Sequence, residues 1–247
     1  MDAAGTAKPI APSRRFVAMT AVFALTLFAG CQYTAQGKNA AGVQLYQTGQ
    51  YQQAAQYFQQ AVNQSPTDAD SYYNLASSYH QIGRLNRRTT ELDYAEQLYN
   101  KALDYNPNHR DCYRALSVLL VDKNQPEKAQ KLLNYWQAQN PTNPAPRVEM
   151  ARLREEFGDR QGAKEYLQQA LAYDPYDVRA LAALGRIQET EGNSAQALAN
   201  YQRALYRDQY QPQIAERVQQ LRTAMNQWNQ VTPGGTQTVT TPMNPIR

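Results

Sequence analysis

GDRQGAKEYLQQALAYDPYDVRALAALGRIQETEG, residues 158–192, opens and closes on a glycine, and the same pattern begins again after Gly192. Ala163, Leu167, Ala170 and Leu171 within it correspond, 34 residues on, to Ala197, Tyr201, Ala204 and Leu205. Further out, Ala54, Ala95, Ala129, Ala163 and Ala197 are separated by 41, 34, 34 and 34 residues. Gly49, Gly83, Asn124, Gly158 and Gly192 follow at 34, 41, 34 and 34, and Pro66, Pro107, Pro141 and Pro175 at 41, 34 and 34. Three residue types keep one register, with seven extra residues inside the second unit. A period in this range marks an array of one recurring supersecondary unit.

Each unit carries two apolar stripes at helical spacing. The second stripe reads Ala54, Tyr57, Phe58, Ala61 and Val62 in the first unit, and Ala163, Tyr166, Leu167, Ala170 and Leu171 in the fourth. Asp68, Asn143, Asp159, Asp177 and Asn193 stand where helices should start, with side chains able to accept from free N–H groups. Pro126 suits a first helical turn, where its missing N–H costs nothing. Glycines at the 34-residue marks suit tight turns between helices. Where the other second stripes have Ala61, Ala102, Ala170 and Ala204, the third has Trp136, which reads as a core aromatic that widens the seam locally. A helix pair cannot bury its own stripe, so neighbours must complete it and the last unit needs a cap. Ile214, Val218, Leu221 and Met225, opened by Pro212, supply one.

This pattern resembles the tetratricopeptide repeat. Its small eighth residue corresponds to Gly42, Ala76, Ser117, Ala151 and Gly185, and its large twenty-fourth to Phe58, Tyr99, Leu133, Leu167 and Tyr201. The resemblance implies an all-α protein, a right-handed α-solenoid of about five helix-turn-helix units. The units are 35–68, 69–109 with the insertion, 110–143, 144–177 and 178–209, followed by a capping helix over 210–230 and a disordered tail over 231–247. In this family the first helix of each unit lines a concave groove for a peptide or a partner helix. The matching positions are Tyr46, then Tyr73, Ser77 and His80, then Arg114, Val118 and Val121, then Val148, Arg152 and Glu155, then Arg179, Arg186 and Glu189. Tyr and Arg together suit a polypeptide partner, being enriched at binding hot spots. Asn74 fits one place of the carboxylate clamp found in chaperone-binding members, but the lysine places are unfilled, so that specificity is not expected.

The first thirty residues read as an address. Lys8, Arg14 and Arg15 precede an uncharged run from Phe16 to Gly30, short for a membrane span and suited to a secretory leader. Phe28-Ala29-Gly30-Cys31 resembles the lipobox of bacterial lipoproteins, with Phe28 in place of the usual Leu. That resemblance implies a signal peptide over 1–30, acylation of Cys31 and a tether over 31–34. Gln32, rather than Asp, implies the outer membrane, with the body on its periplasmic face. An ordinary signal ahead of a buried cysteine, an uncleaved anchor, or a twin-arginine route through Arg14-Arg15 would use the same residues.

The whole chain carries a net charge of +4, from 25 basic and 21 acidic residues. Without residues 1–30 it has 22 and 20, and the charges are mixed along the helices rather than clustered as in a nucleic-acid binder, so no nucleic acid is expected. His80 and His109 are too few for a histidine metal site, and no cofactor is expected. His80 reads as an exposed histidine able to make a pH-sensitive contact, and Cys112 as a buried, inert thiol. Phosphate loops, metalloprotease pairs and nucleophile elbows are missing from the sequence, so no enzyme is expected. The resulting expectation is an envelope-anchored scaffold for a pilus, secretion or cell-wall complex, the alternative being an envelope hydrolase that uses the groove. The insertion, Arg84-Leu85-Asn86-Arg87-Arg88-Thr89-Thr90 plus the start of a longer second helix, reads as an arginine loop, with Thr90 and Asp93 as a capping box for that helix. Such a loop suits an acidic partner, a glycan or phospholipid headgroups; it is equally a tolerated extension.

Overall fold

A computed structural model describes residues 35–231. The segments expected as a signal peptide (1–30) and a tether with Cys31 (31–34), and all but the first residue of the expected tail (231–247), lie outside the described residues. Within them the fold is all-α, with eleven helices and no strand. The helices are α1 (35–47), α2 (Tyr51–Gln64), α3 (Ala69–Asn86), α4 (Thr89–Tyr105), α5 (Arg110–Asp122) and α6 (Pro126–Gln139). They continue as α7 (Ala145–Glu156), α8 (Arg160–Tyr173), α9 (Val178–Thr190), α10 (Ser194–Arg207) and α11 (Pro212–Val231). Among the described residues no helix is long and apolar enough to cross a membrane.

The helices gather into two compact units, one up to Ala129 and one from Gln130, the division falling inside α6. In the first, α2 packs on α3, α3 on α4 and α4 on α5, and α3 also meets α5. In the second, each of α7 to α10 packs on the helix that follows it.

The small residues that keep the register sit where helices cross most closely. Ala54, Ala95, Ala129, Ala163 and Ala197 are all fully buried. So are Ala61, Ala102, Ala170 and Ala204, and Trp136 is fully buried as a core aromatic. Gly42 and Gly185 need their missing Cβ: a methyl at Gly42 would lie 2.5 Å from the Phe58 ring, and one at Gly185 would lie 2.8 Å from Tyr201. Large rings thus fill the space that the first helix leaves open. At the far end, Ile214, Val218 and Leu221 of α11 close the stack over Leu181, Ala197, Tyr201 and Ala204.

Turns and caps follow the local chemistry. Gly49, Gly158 and Gly192 turn the chain with φ of 78°, 76° and 81°, the left-handed region that glycine enters without a Cβ penalty. Asn124 does so at 58°. Asp68, Asp159 and Asp177 accept from the backbone N–H of Ser71, Gly162 and Ala180, as N-caps should. Asn143 accepts from Ala145 N–H at 3.0 Å, whereas Asn193 makes no side-chain cap bond. His109 caps α5 through Nδ1, which accepts from Cys112 N–H, a role not anticipated for a histidine.

The second repeat corrects two expectations. Its extra residues are not a loop: α3 has 18 residues and α4 has 17, against 12 to 14 in α2 and in α5 to α10. The turn residue is Arg87, with φ of 53°, while Gly83 lies inside α3 against Leu92. Thr90 and Asp93 form no capping box, because α4 already starts at Thr89, with Arg88 as N-cap and no side-chain cap bond. The Thr90 hydroxyl instead donates to Glu91.

Candidate functional site

The first helices carry the expected groove residues, and α3 supplies Tyr73, Ser77 and His80. Tyr73, Ser77, His80 and Arg84 lie at i, i+4, i+7 and i+11, so one face of the helix presents all four. In the first unit Tyr46, Tyr73, Ser77, His80, Arg114 and Val118 line a single cleft of about 390 Å³. Gln81, Arg84, Tyr99, Asp111 and Ala115 complete it. Gln81 and Arg84 sit one turn beyond Ser77 and His80, so following the lengthened helix would have found them in the sequence. Val121 is half-buried on α5 outside this lining.

The floor of the cleft is a connected polar network. His80 is buried, which corrects the expectation of an exposed histidine. Its Nε2 lies 2.8 Å from Asp122 Oδ2, and Arg84 Nε meets the same oxygen at 3.3 Å. The carboxylate accepts, so Nε2 carries the proton and the unprotonated Nδ1 faces the Tyr99 hydroxyl, 3.5 Å away. Tyr99 OH donates to Ser77 Oγ at 3.2 Å, and Ser77 Oγ in turn donates to the Tyr73 carbonyl at 2.8 Å. Burial pushes the His80 pKa below its ordinary value of 6.5, against the opposing pull of Asp122. Burial likewise raises Tyr46, Tyr73 and Tyr99, Tyr73 with help from the Asp111 charge, so these phenols stay protonated at neutral pH; Tyr46 and Tyr73 can donate to a ligand, while the Tyr99 proton is used within the network.

Although serine, histidine and aspartate meet here, the arrangement does not make a nucleophile. Ser77 spends its proton on a backbone carbonyl, and the basic face of His80 looks at Tyr99. A hydrolytic dyad requires the hydroxyl to donate to the imidazole. Cys112 is fully buried beside this network and donates to the Tyr99 carbonyl at 3.2 Å. Burial alone raises its pKa, as expected for an inert thiol.

In the second unit Arg152 and Arg186 line another cleft, of about 370 Å³, with Glu155, Glu156, Arg160 and Thr190. Ion pairs organise it. Arg186 meets Glu155 at 2.7 Å, Arg152 meets Glu149 at 3.2 Å, and Arg179 meets Glu149 at 3.5 Å. Arg217 of α11 pairs with Glu189. Glu149 is fully buried, so these arginines offset the cost of removing its charge from water. Val148 is a correction: only 7% exposed, it packs against Ala151, Ala163 and Leu167 as a core side chain and presents nothing to a ligand.

Four tetratricopeptide-repeat family models overlap to cover residues 42–212, matching 42–83, 69–109, 91–154 and 148–212. No curated protein matches the chain. Among solved structures the chain is similar to a thermophilic tetratricopeptide-repeat protein of Thermus thermophilus, with 24% identity and a TM-score of 0.56 over 76% of this chain and 98% of that one. It is also similar to PilF of Pseudomonas aeruginosa, with 16% identity and a TM-score of 0.50 over 83% of this chain and 95% of that one. At these identities the likeness is one of fold. With the 34-residue register, the buried alanine seam and the matched models, the chain belongs to the tetratricopeptide-repeat family.

Proposed function

We propose that this protein is a scaffold that holds a polypeptide in the cleft of its first unit while tethered to a bacterial envelope. The reading rests on one observation: Tyr46, Tyr73, Ser77, His80, Arg114 and Val118 converge on a single concavity. Two tyrosines and an arginine supply the aromatic area and donors that dominate polypeptide binding. Protonated phenols and the guanidinium groups of Arg84 and Arg114 favour backbone carbonyls and carboxylates in the ligand. The second unit, with its ion-paired cleft at Arg152, Glu155 and Arg186, suits a segment of mixed charge.

Tethering is supported by the leader and the small-small-Cys31 junction. Two or more acyl chains give stable anchoring without insertion of the body. With Gln32 after the cysteine, the outer membrane is the proposed site, and assembly of a pilus, a secretion apparatus or a cell-wall enzyme complex the proposed setting. Cys31→Ser should abolish palmitate labelling and release the protein from the membrane fraction; a Cys31→Ser protein that stays membrane-bound contradicts the anchor.

For binding, Tyr73→Ala and Arg114→Ala are the informative variants. Each should reduce recovery of a crosslinked partner from the membrane fraction by tenfold or more while far-UV circular dichroism stays unchanged. Undiminished recovery with both would contradict the cleft. A hydrolase reading would require turnover of peptidoglycan or peptide by the purified protein.

A further inference from the structure

We propose that the extra residues of the second repeat build a second cleft, on the opposite side of α3, that takes an extended, uncharged polypeptide segment. The cavity there is about 590 Å³, larger than the concave cleft of the same unit. One wall is α2 and the other is the end of α3 with the start of α4, the portions that the insertion lengthens. Without the added turns, Asn86 and Arg88 would not stand beside α2.

The two clefts are separate. At 100° per residue, Tyr79, Ile82 and Asn86 project from α3 about 160° away from Tyr73, Ser77, His80 and Arg84. A ligand in one leaves the other open, so this site is independent of the function proposed above.

Chemistry identifies the occupant. The two charged side chains in the lining, Arg88 and Glu91, pair with each other at 3.1 Å, leaving no charge to attract an ion. The α2 wall is glutamine: Gln52, Gln56 and Gln60, with Gln59 held by Asn63 at 3.0 Å. Each primary amide offers the donor and acceptor of a peptide unit. Gln52, Gln56 and Gln60 stand four residues apart, about 6 Å along the helix axis. Backbone groups on one side of an extended strand recur every two residues, about 6.7 Å. Three amides therefore stay near register with three peptide units. Ile82 and Ala55, both buried, form the apolar floor of this cleft. Tyr79 is in edge-to-face contact with Tyr94, centroids 4.7 Å apart, which favours a side-chain wall over the flat platform that a sugar ring needs.

The test uses the full chain, isotope-labelled, and follows the side-chain amide signals of the glutamines by NMR. The probe is an equimolar pool of capped linear heptapeptides of Ser, Thr, Val, Gln and Gly; chitotetraose is the glycan probe. The pool should shift the amide signals of Gln52, Gln56 and Gln60. Gln56→Ala with Gln60→Ala should weaken binding at least tenfold, and both positions are exposed in a helix that tolerates alanine. Arg114→Ala in the other cleft should leave this binding unchanged. Glutamine amides that do not move with the pool, or that move with chitotetraose instead, overturn the proposal. So does binding abolished by Arg114→Ala and indifferent to the glutamine variant.

Discussion

A methyl group added at Gly185 would meet Tyr201 at 2.8 Å, closer than two carbons rest. Tyr201 has little room to yield, being buried and bonded to Glu189 at 3.2 Å. Overpacking of this kind costs about 1–3 kcal/mol, against about 1 kcal/mol gained in helix propensity. Gly185→Ala should therefore lower the urea midpoint, by an amount corresponding to about 1 kcal/mol, and Tyr201→Leu in the same protein should recover part of the loss. His80 gives a pH signature. Above pH 6.5 its imidazole is neutral in both folded and unfolded chains, so nothing is lost. As pH falls below that value the unfolded chain takes up a proton that burial keeps off the folded one, so stability declines. The midpoint of denaturation should fall between pH 7 and 5, and less so in His80→Gln. At this scale the sequence shows which positions are small and which are large, because they repeat. It does not show burial beyond one helix face: Val148 occupies a groove position by count, yet Ala145, Arg147, Val148, Glu149 and Met150 are all buried, so α7 is enclosed all round at its start.

Among the elements, caps and helix lengths decide the detail. Asp177, the N-cap of α9, accepts from Ala180 N–H at 2.8 Å, whereas Asn193, the N-cap of α10, makes no side-chain bond. Asp177→Ala should cost about 1 kcal/mol, and Asn193→Ala less than about 0.5 kcal/mol, both read by thermal melting. Helix starts were legible in Asp68, Asp159 and Asp177 because a short acceptor at a repeat boundary has one use. His109 was not, since nothing in its spacing distinguishes a cap from a surface imidazole. Arg, Asn and Thr dominate the insertion, which suggests a loop ahead of a longer second helix. Seven residues are close to two helical turns, however. Divided between α3 and α4, they lengthen each by about one turn and return both apolar stripes to the same face. The positions with positive φ record that division: Gly49, Arg87 and Asn124 are 38 and 37 residues apart, where the unmodified repeats give 34.

At the scale of the whole molecule, stability in a repeat array is close to a sum of unit and interface terms, so the end must be covered. Ile214, Val218 and Leu221 perform that task for the fifth repeat. Each contributes about 1.5–3 kcal/mol on burial. Truncation after residue 209 should therefore lower the free energy of unfolding by about 4 kcal/mol or more, and should raise dye binding to the uncovered face around Leu181 and Tyr201. The periodic core was legible at this scale because five units repeat it. The second cleft was not, because it depends on how far one hairpin reaches past its neighbour. The central claim, that the concave cleft of the first unit holds a polypeptide, is tested most directly by placing a photo-crosslinking amino acid at Val118 in the living cell, with Lys128 as a control position outside the cleft. Crosslinks from position 118 should reach a defined segment of one polypeptide, be absent from position 128 and be suppressed by Tyr73→Ala. Equal crosslinking from both positions, or crosslinks at 118 that persist in Tyr73→Ala, would contradict that claim.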